Sequence, residues 1–255
     1  MVYKLITHTI REEHFDHPLA LEAINGVKLN GAYANYNGNG NSNGASITET
    51  DVYVPGTVSV FNTEPAVVWR MDQRTIWARY LWRLRNYLVS ALTPGDGADI
   101  NVVEEQLFQN IDEIGDSVRP YYGLVASKKL SQLMRSFVLT VTDIIQSLKQ
   151  GKSIDELTAK YNTELKEFAI FLESTNPNNW TADVVEQIFG KVLQAWIDEA
   201  RARVTKNWPA DIEAVDTAHR IILAGQDDGT PAFSDVFAKG VILQFPDRFT
   251  EASSE

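Results

Sequence analysis

Apolar residues follow two different rhythms along this chain, and the change falls near Glu64-Pro65. Before it, short alternating runs are separated by Gly- and Asn-rich stretches. Val2 to Ile10 alternates, with Tyr3, Leu5 and Thr7 on one face and Val2, Lys4 and Ile6 on the other, which predicts a strand. Thr50 to Val54 and Thr57 to Phe61 are β-prone and flank Pro55-Gly56, a turn signal, so a hairpin is expected there. The run Asn37-Gly38-Asn39-Gly40-Asn41-Ser42-Asn43-Gly44 predicts a flexible loop, because Gly and Asn tolerate positive φ and bury little.

After the change the spacing of apolar positions becomes helical. Trp77, Leu81, Leu84, Leu88 and Ala91 recur every three or four residues within a helix expected over Trp69 to Leu92 and stopped by Thr93-Pro94-Gly95. Val103, Leu107, Ile111 and Ile114 mark a second helix, about Asn101 to Val118, closed by Pro120-Tyr121-Tyr122-Gly123. A third covers about Leu124 to Lys149. Ser153 and Glu156 have capping-box spacing and open a fourth, to about Glu173, ended by Asn176-Pro177-Asn178-Asn179-Trp180. Thr181 is the expected cap of a fifth, to about Lys206. Pro209 suits the first residue of another helix, to Ala224, and a short segment from Phe233 to Leu243 ends the pattern. Long helices on short loops favour antiparallel packing. The expected fold is mainly α: an antiparallel helical bundle over 66–255, with a β-prone, irregular N-terminal arm over 1–65.

Composition narrows the function classes. The chain has 255 residues, 44% hydrophobic and 22% charged, enough to bury a core. Its net charge of -11 argues against a nucleic-acid partner, since phosphate neutralisation needs clustered Lys and Arg. With no cysteine, disulfides, thiolate metal sites and a Cys nucleophile are excluded. No apolar run is long enough for a membrane span, and charges arrive too early for a signal peptide. A soluble protein, cytoplasmic or within a virion or other assembly, is expected.

Candidate chemistry is sparse. In Glu12-Glu13-His14-Phe15-Asp16-His17 the imidazoles of His14 and His17 lie three apart among carboxylates, a weak metal-ligand pattern that reads more simply as a solvated loop before Pro18. Glu113, Glu164 and Glu167 suggest a carboxylate cluster, but no Glu-x-x-His pair accompanies them. Surface carboxylates or a buried Asn–Glu hydrogen bond are the expectation. Asn110-x-x-Glu113 and Glu164-x-x-Glu167 form a weak internal echo. Glu213, Asp216 and His219 share a helix face without a nucleophile. Arg70, Arg74, Arg79, Arg83 and Arg85 make the first helix basic, with Trp69, Trp77 and Trp82 interleaved for possible stacking. Those arginines either grip a partner subunit or pair with acids of neighbouring helices.

From Trp77 to Phe249 the chain resembles an uncharacterised group of bacterial all-helical proteins. The residues that carry the likeness are Arg85 with Val89-Ser90-Ala91-Leu92, Asn110, Ile114-Gly115, Tyr121-Tyr122-Gly123 and Phe171-Leu172. Asn176-Pro177, Asn179-Trp180, Asp211, Asp216, His219 and Gln244-Phe245-Pro246-Asp247-Arg248-Phe249 complete it. The resemblance implies a bundle with inward His and Asp residues. Here Tyr80, Phe137 and Val192 stand where those relatives place His, and Glu113 where they place Asp. It therefore implies a fold whose interior site has been lost, and no cofactor is expected.

Two functions remain. One is a non-catalytic structural or assembly protein that contacts other protein subunits, its own or different ones, through the arm and through Arg70, Arg74, Tyr53 and Phe61. The other is a small-molecule- or metal-binding bundle, an enzyme of unknown chemistry in the extreme case.

Overall fold

The computed structural model describes residues 59–93, 99–226 and 229–250. The β-prone stretches before Ser59, the Gly/Asn run, His14, His17 and Tyr53 lie outside the described residues. Val60 and Phe61, expected in the second strand of a hairpin, instead form a 3₁₀ turn with Asn62 that leads into the first helix. Within them the fold is a mainly α bundle, seven helices packed on one another without strands. In chain order these are α1 (Glu64–Leu92), α2 (Ile100–Ser117), α3 (Arg119–Lys149), α4 (Asp155–Thr175), α5 (Ala182–Val204), α6 (Trp208–His219) and α7 (Phe233–Gln244). Each of α1 to α5 packs against the next, and α6 against α5; α7 returns to lie on α1.

The 29-residue α1 is the axis of the bundle, touching α2, α3, α5, α6 and α7. Its buried positions, Ala66, Trp69, Gln73, Trp77, Tyr80, Leu84, Leu88 and Ala91, recur at three and four because that spacing returns side chains to one face. The core around it is aromatic. Trp77 meets Phe233 edge to face at 4.9 Å, Phe233 meets Phe189 at 4.9 Å, and Phe189 continues to Phe168 and Phe137 at 5.3 and 5.6 Å. Such geometry sets the positive ring edge on the negative face of its neighbour, so these pairs add to the burial of their area.

Several local expectations change. The first helix begins at Glu64, ahead of the expected Trp69, with Pro65 in its first turn, so the composition shift coincides with its start. Thr63 donates its hydroxyl to the Phe249 carbonyl at 2.5 Å, tying residues just ahead of α1 to the end of the fold. The capping box does not form: the Ser153 hydroxyl accepts from the Asp155 amide and bonds the Asp155 carboxylate. Thr181 occupies the cap position of α5 without a side-chain cap; Glu173 accepts from the Ala182 amide instead, at 3.2 Å. At α6 Asn207 is the cap, accepting from the Ala210 amide, and the helix starts at Trp208, one residue ahead of the expected Pro209. The helix expected to reach Ala224 does so by loosening into a π turn over Arg220–Ala224.

Gly123 explains how α2 passes into α3. Its φ of 78° and ψ of 175° are non-helical, so Arg119 to Tyr122 form a turn and the straight part of α3 starts at Leu124. Four residues beyond the buried Ile111, Gly115 permits close contact between α2 and α3. A Cβ there would lie 2.7 Å from the Ser127 carbonyl oxygen.

Candidate functional site

The arginines of α1 are turned to neighbouring elements. Arg70 donates to the Phe61 carbonyl at 3.0 Å. Arg74 forms a two-pronged pair with Asp235 of α7, and Arg79 meets Glu113 of α2 at 3.2 Å. Arg83 donates to the Gln106 carbonyl. This is the helix-pairing reading of the basic helix. The expected stacking of tryptophans on guanidiniums gives way to core packing: Trp69 donates to the Ala238 carbonyl at 3.1 Å and Trp77 sits in the aromatic cluster. Trp82 alone of the three is exposed. Of the proposed partner contacts, Arg70 and Phe61 are thus brought together, with the Lys239 ammonium 5.5 Å above the Phe61 ring. Arg74 is half-exposed on its pair with Asp235.

The most highly charged buried place is where α1, α5 and α6 meet. Arg85 donates to Glu199 and to both oxygens of Asp211, at 2.5 and 3.2 Å for the latter. Arg203, one helical turn after Glu199, donates to Asp211 at 2.8 Å. Its guanidinium also lies 5.7 Å from the Trp208 ring centroid. Two arginines thus face two carboxylates, a neutral set when all four are ionised. Glu199 is fully buried and its second oxygen has no hydrogen-bond partner. Burial outweighs the attraction of Arg85 and pushes this carboxyl up to about 7. Removing one partner from such a set costs about 3–5 kcal/mol, whereas an exposed pair such as Arg74–Asp235 contributes about 0–1 kcal/mol.

A second polar cluster holds the corner opposite in sequence. Asn176 donates to the Gly240 carbonyl at 2.9 Å and to the Tyr122 hydroxyl at 3.2 Å, and Tyr122 donates to Gln244 at 2.5 Å. Trp180 stacks on Phe237 at 4.8 Å, and Tyr121 stacks on Phe249 at 5.5 Å. This corner gathers Tyr121-Tyr122-Gly123, Asn176, Trp180 and Gln244 to Phe249, residues far apart in the chain. The arrangement fastens the ends of α3, α4 and α7 together, and its hydrogen bonds close on the protein's own groups.

The other candidate acids separate. Glu113 binds Arg79 and accepts from Asn110 at 3.4 Å, the expected Asn–Glu bond. Glu164 accepts from Ser136 and Thr140 at 2.8 and 2.7 Å, and Glu167 is exposed. Glu213 pairs with Arg220, while Asp216 and His219 are exposed on α6. Tyr80, Phe137 and Val192 are all buried, Phe137 among Tyr161, Phe168 and Phe189. Among the described residues, no group of three His, Asp or Glu side chains is placed to hold a metal ion. No described helix is long and apolar enough to cross a membrane.

Sequence reasoning missed Glu199 and Arg203. A glutamate three residues after Trp196 and beside Ala200, on a helix with a strong apolar stripe, was the available signal. No family model, curated protein or solved structure matches the chain.

Proposed function

We propose that this chain is a non-catalytic structural or assembly protein, its helical body acting as a rigid block and its N-terminal segment making contacts with other protein subunits. The observation that supports this reading is the way α1 uses its charge. Arg70, Arg74, Arg79, Arg83 and Arg85 each bond a different neighbour, from Phe61 at one end to Asp211 at the other. A helix pinned along its whole length resists bending, which suits a block that must hold a fixed shape. The interior positions Tyr80, Phe137 and Val192 add packing and offer no metal ligand of the imidazole kind.

The test compares the full chain with one beginning at Ser59, since Val60 to Thr63 pack on the body. Both should melt cooperatively with helical circular-dichroism minima. Only the full chain should associate fully, in light scattering and in pull-down from its native source. Two equally monomeric proteins with equally empty pull-downs would end the assembly reading.

The competing reading, a small-molecule- or metal-binding bundle, draws on one observation: the partnerless oxygen of buried Glu199. Stoichiometric metal retained by the purified chain through dialysis, and lost in Glu199→Gln, would favour it.

A further inference from the structure

We propose that α6 is a self-association surface on which two copies of this chain pair antiparallel about a twofold axis. The inference deepens the assembly reading and rests on it. Its starting point is an inverted distribution of side chains on α6. The face toward the bundle carries Asp211, Ala214 and Ala218, small or charged. Large apolar residues point away from it: Trp208 is 53% exposed and Ile212 56%. Trp208, Ile212, Val215 and His219 recur at intervals of four, three and four, so they form one stripe along the helix. The approach to α6 is equally open, with every residue from Val204 to Ala210 exposed. Trp82, one turn before the Arg85 that bonds Asp211, is 69% exposed.

Charge selects the occupant. The start of this surface is basic, with exposed Arg201 and Lys206; its far half is acidic, with exposed Glu213 and Asp216. Glu213 already accepts from Arg220 on its own helix, yet its side chain stays 70% exposed. A surface that is basic at one end, apolar in the middle and acidic at the other is complementary to itself when reversed. Twofold interfaces require that property, because the same patch must serve on both sides. An axis passing near residue 210 sets Trp208 of one copy against Ile212 of the other. The same axis brings Lys206 beside Glu213. Trp208 is held for this contact by the Arg203 guanidinium beneath its ring, and Arg203 is fixed by Asp211. The buried ion cluster thus supports the stripe from below.

The chain's net charge of -11 opposes pairing at long range. At about 0.15 M salt the screening length is about 8 Å, which suppresses that repulsion and leaves contact pairs largely intact.

The test is the dimer dissociation constant of the full chain at that salt, by sedimentation velocity. Ile212→Glu places a charge at the centre of the stripe on an exposed position. It should weaken the dimer at least about tenfold with unchanged circular dichroism. Lys206→Glu should weaken it about fivefold, and adding Glu213→Lys to Lys206→Glu should restore it. A full chain that dimerises equally well with Ile212→Glu overturns the α6 surface while leaving assembly through the N-terminal segment standing. Failure of the double charge reversal to rescue overturns the antiparallel pairing. A full chain that stays monomeric, with nothing captured in the truncation experiment, removes both readings.

Discussion

Glu199 is the residue at which physical chemistry makes its clearest demand. Its carboxyl titrates near 7 in the folded protein against an ordinary value of 4.5, because burial costs the charged form more than Arg85 returns. A raised carboxyl binds a proton more tightly in the folded state, so its contribution to stability is complete below pH 4.5. That contribution is lost as pH rises from 4.5 to about 7. Glu199→Gln removes the titration. The stability difference between the natural chain and Glu199→Gln should therefore shift with pH by on the order of 3 kcal/mol, favouring the natural chain at the acid end. Urea melts of both proteins at intervals from pH 4.5 to 7.5 read this directly. A difference independent of pH would mean that Glu199 is ionised throughout. The pairing of this residue was illegible in the sequence for a simple reason. Arg85 and Glu199 are 114 positions apart, and a helical glutamate near lysines and arginines reads as a solvated charge.

At the scale of elements, the helices were legible because three- and four-residue spacing of Trp, Leu and Ile is imposed by burial on one face. Their ends were less so. Gly123 marks the break that Pro120-Tyr121-Tyr122-Gly123 announced, and Asn207 does the capping that Asn207-Trp208-Pro209 invites. Ser153 and Thr181 had the right identity for caps but found other geometry, since a cap depends on a backbone angle that composition does not encode. The joint between α7 and the Asn176–Trp180 loop was beyond reach, because Asn176 and Gly240 are 64 positions apart and Trp180 and Val236 are 56 apart. Gly240 makes that joint possible: a Cβ there would sit 2.2 Å from the Trp180 indole nitrogen. Gly240→Ala should push Trp180 off Phe237 and destabilise by about 1–3 kcal/mol, despite the better helix propensity of alanine. Near-ultraviolet circular dichroism and the melting temperature measure both effects. A variant as stable as the natural chain, with the same tryptophan signal, would show that the indole has room to spare.

For the whole molecule, the bundle was readable and the partner surfaces were not. Arg70 and Arg74 looked available for a partner because nothing local in the sequence pairs with them. Asp235, which binds Arg74, lies 161 residues away, and the Phe61 carbonyl that takes Arg70 belongs to the backbone, which no residue type reveals. Trp208 and Ile212 are apolar residues at helical spacing, yet both stand exposed. Asp211 between them faces inward only because Arg85 and Arg203 receive it. The proposed self-association of this helical block is tested most directly by its mass in solution. Sedimentation equilibrium of the full chain over a wide range of concentrations should give a weight-average mass rising to at least twice the chain mass of 28.6 kDa. A mass that stays at 28.6 kDa at every concentration would contradict it.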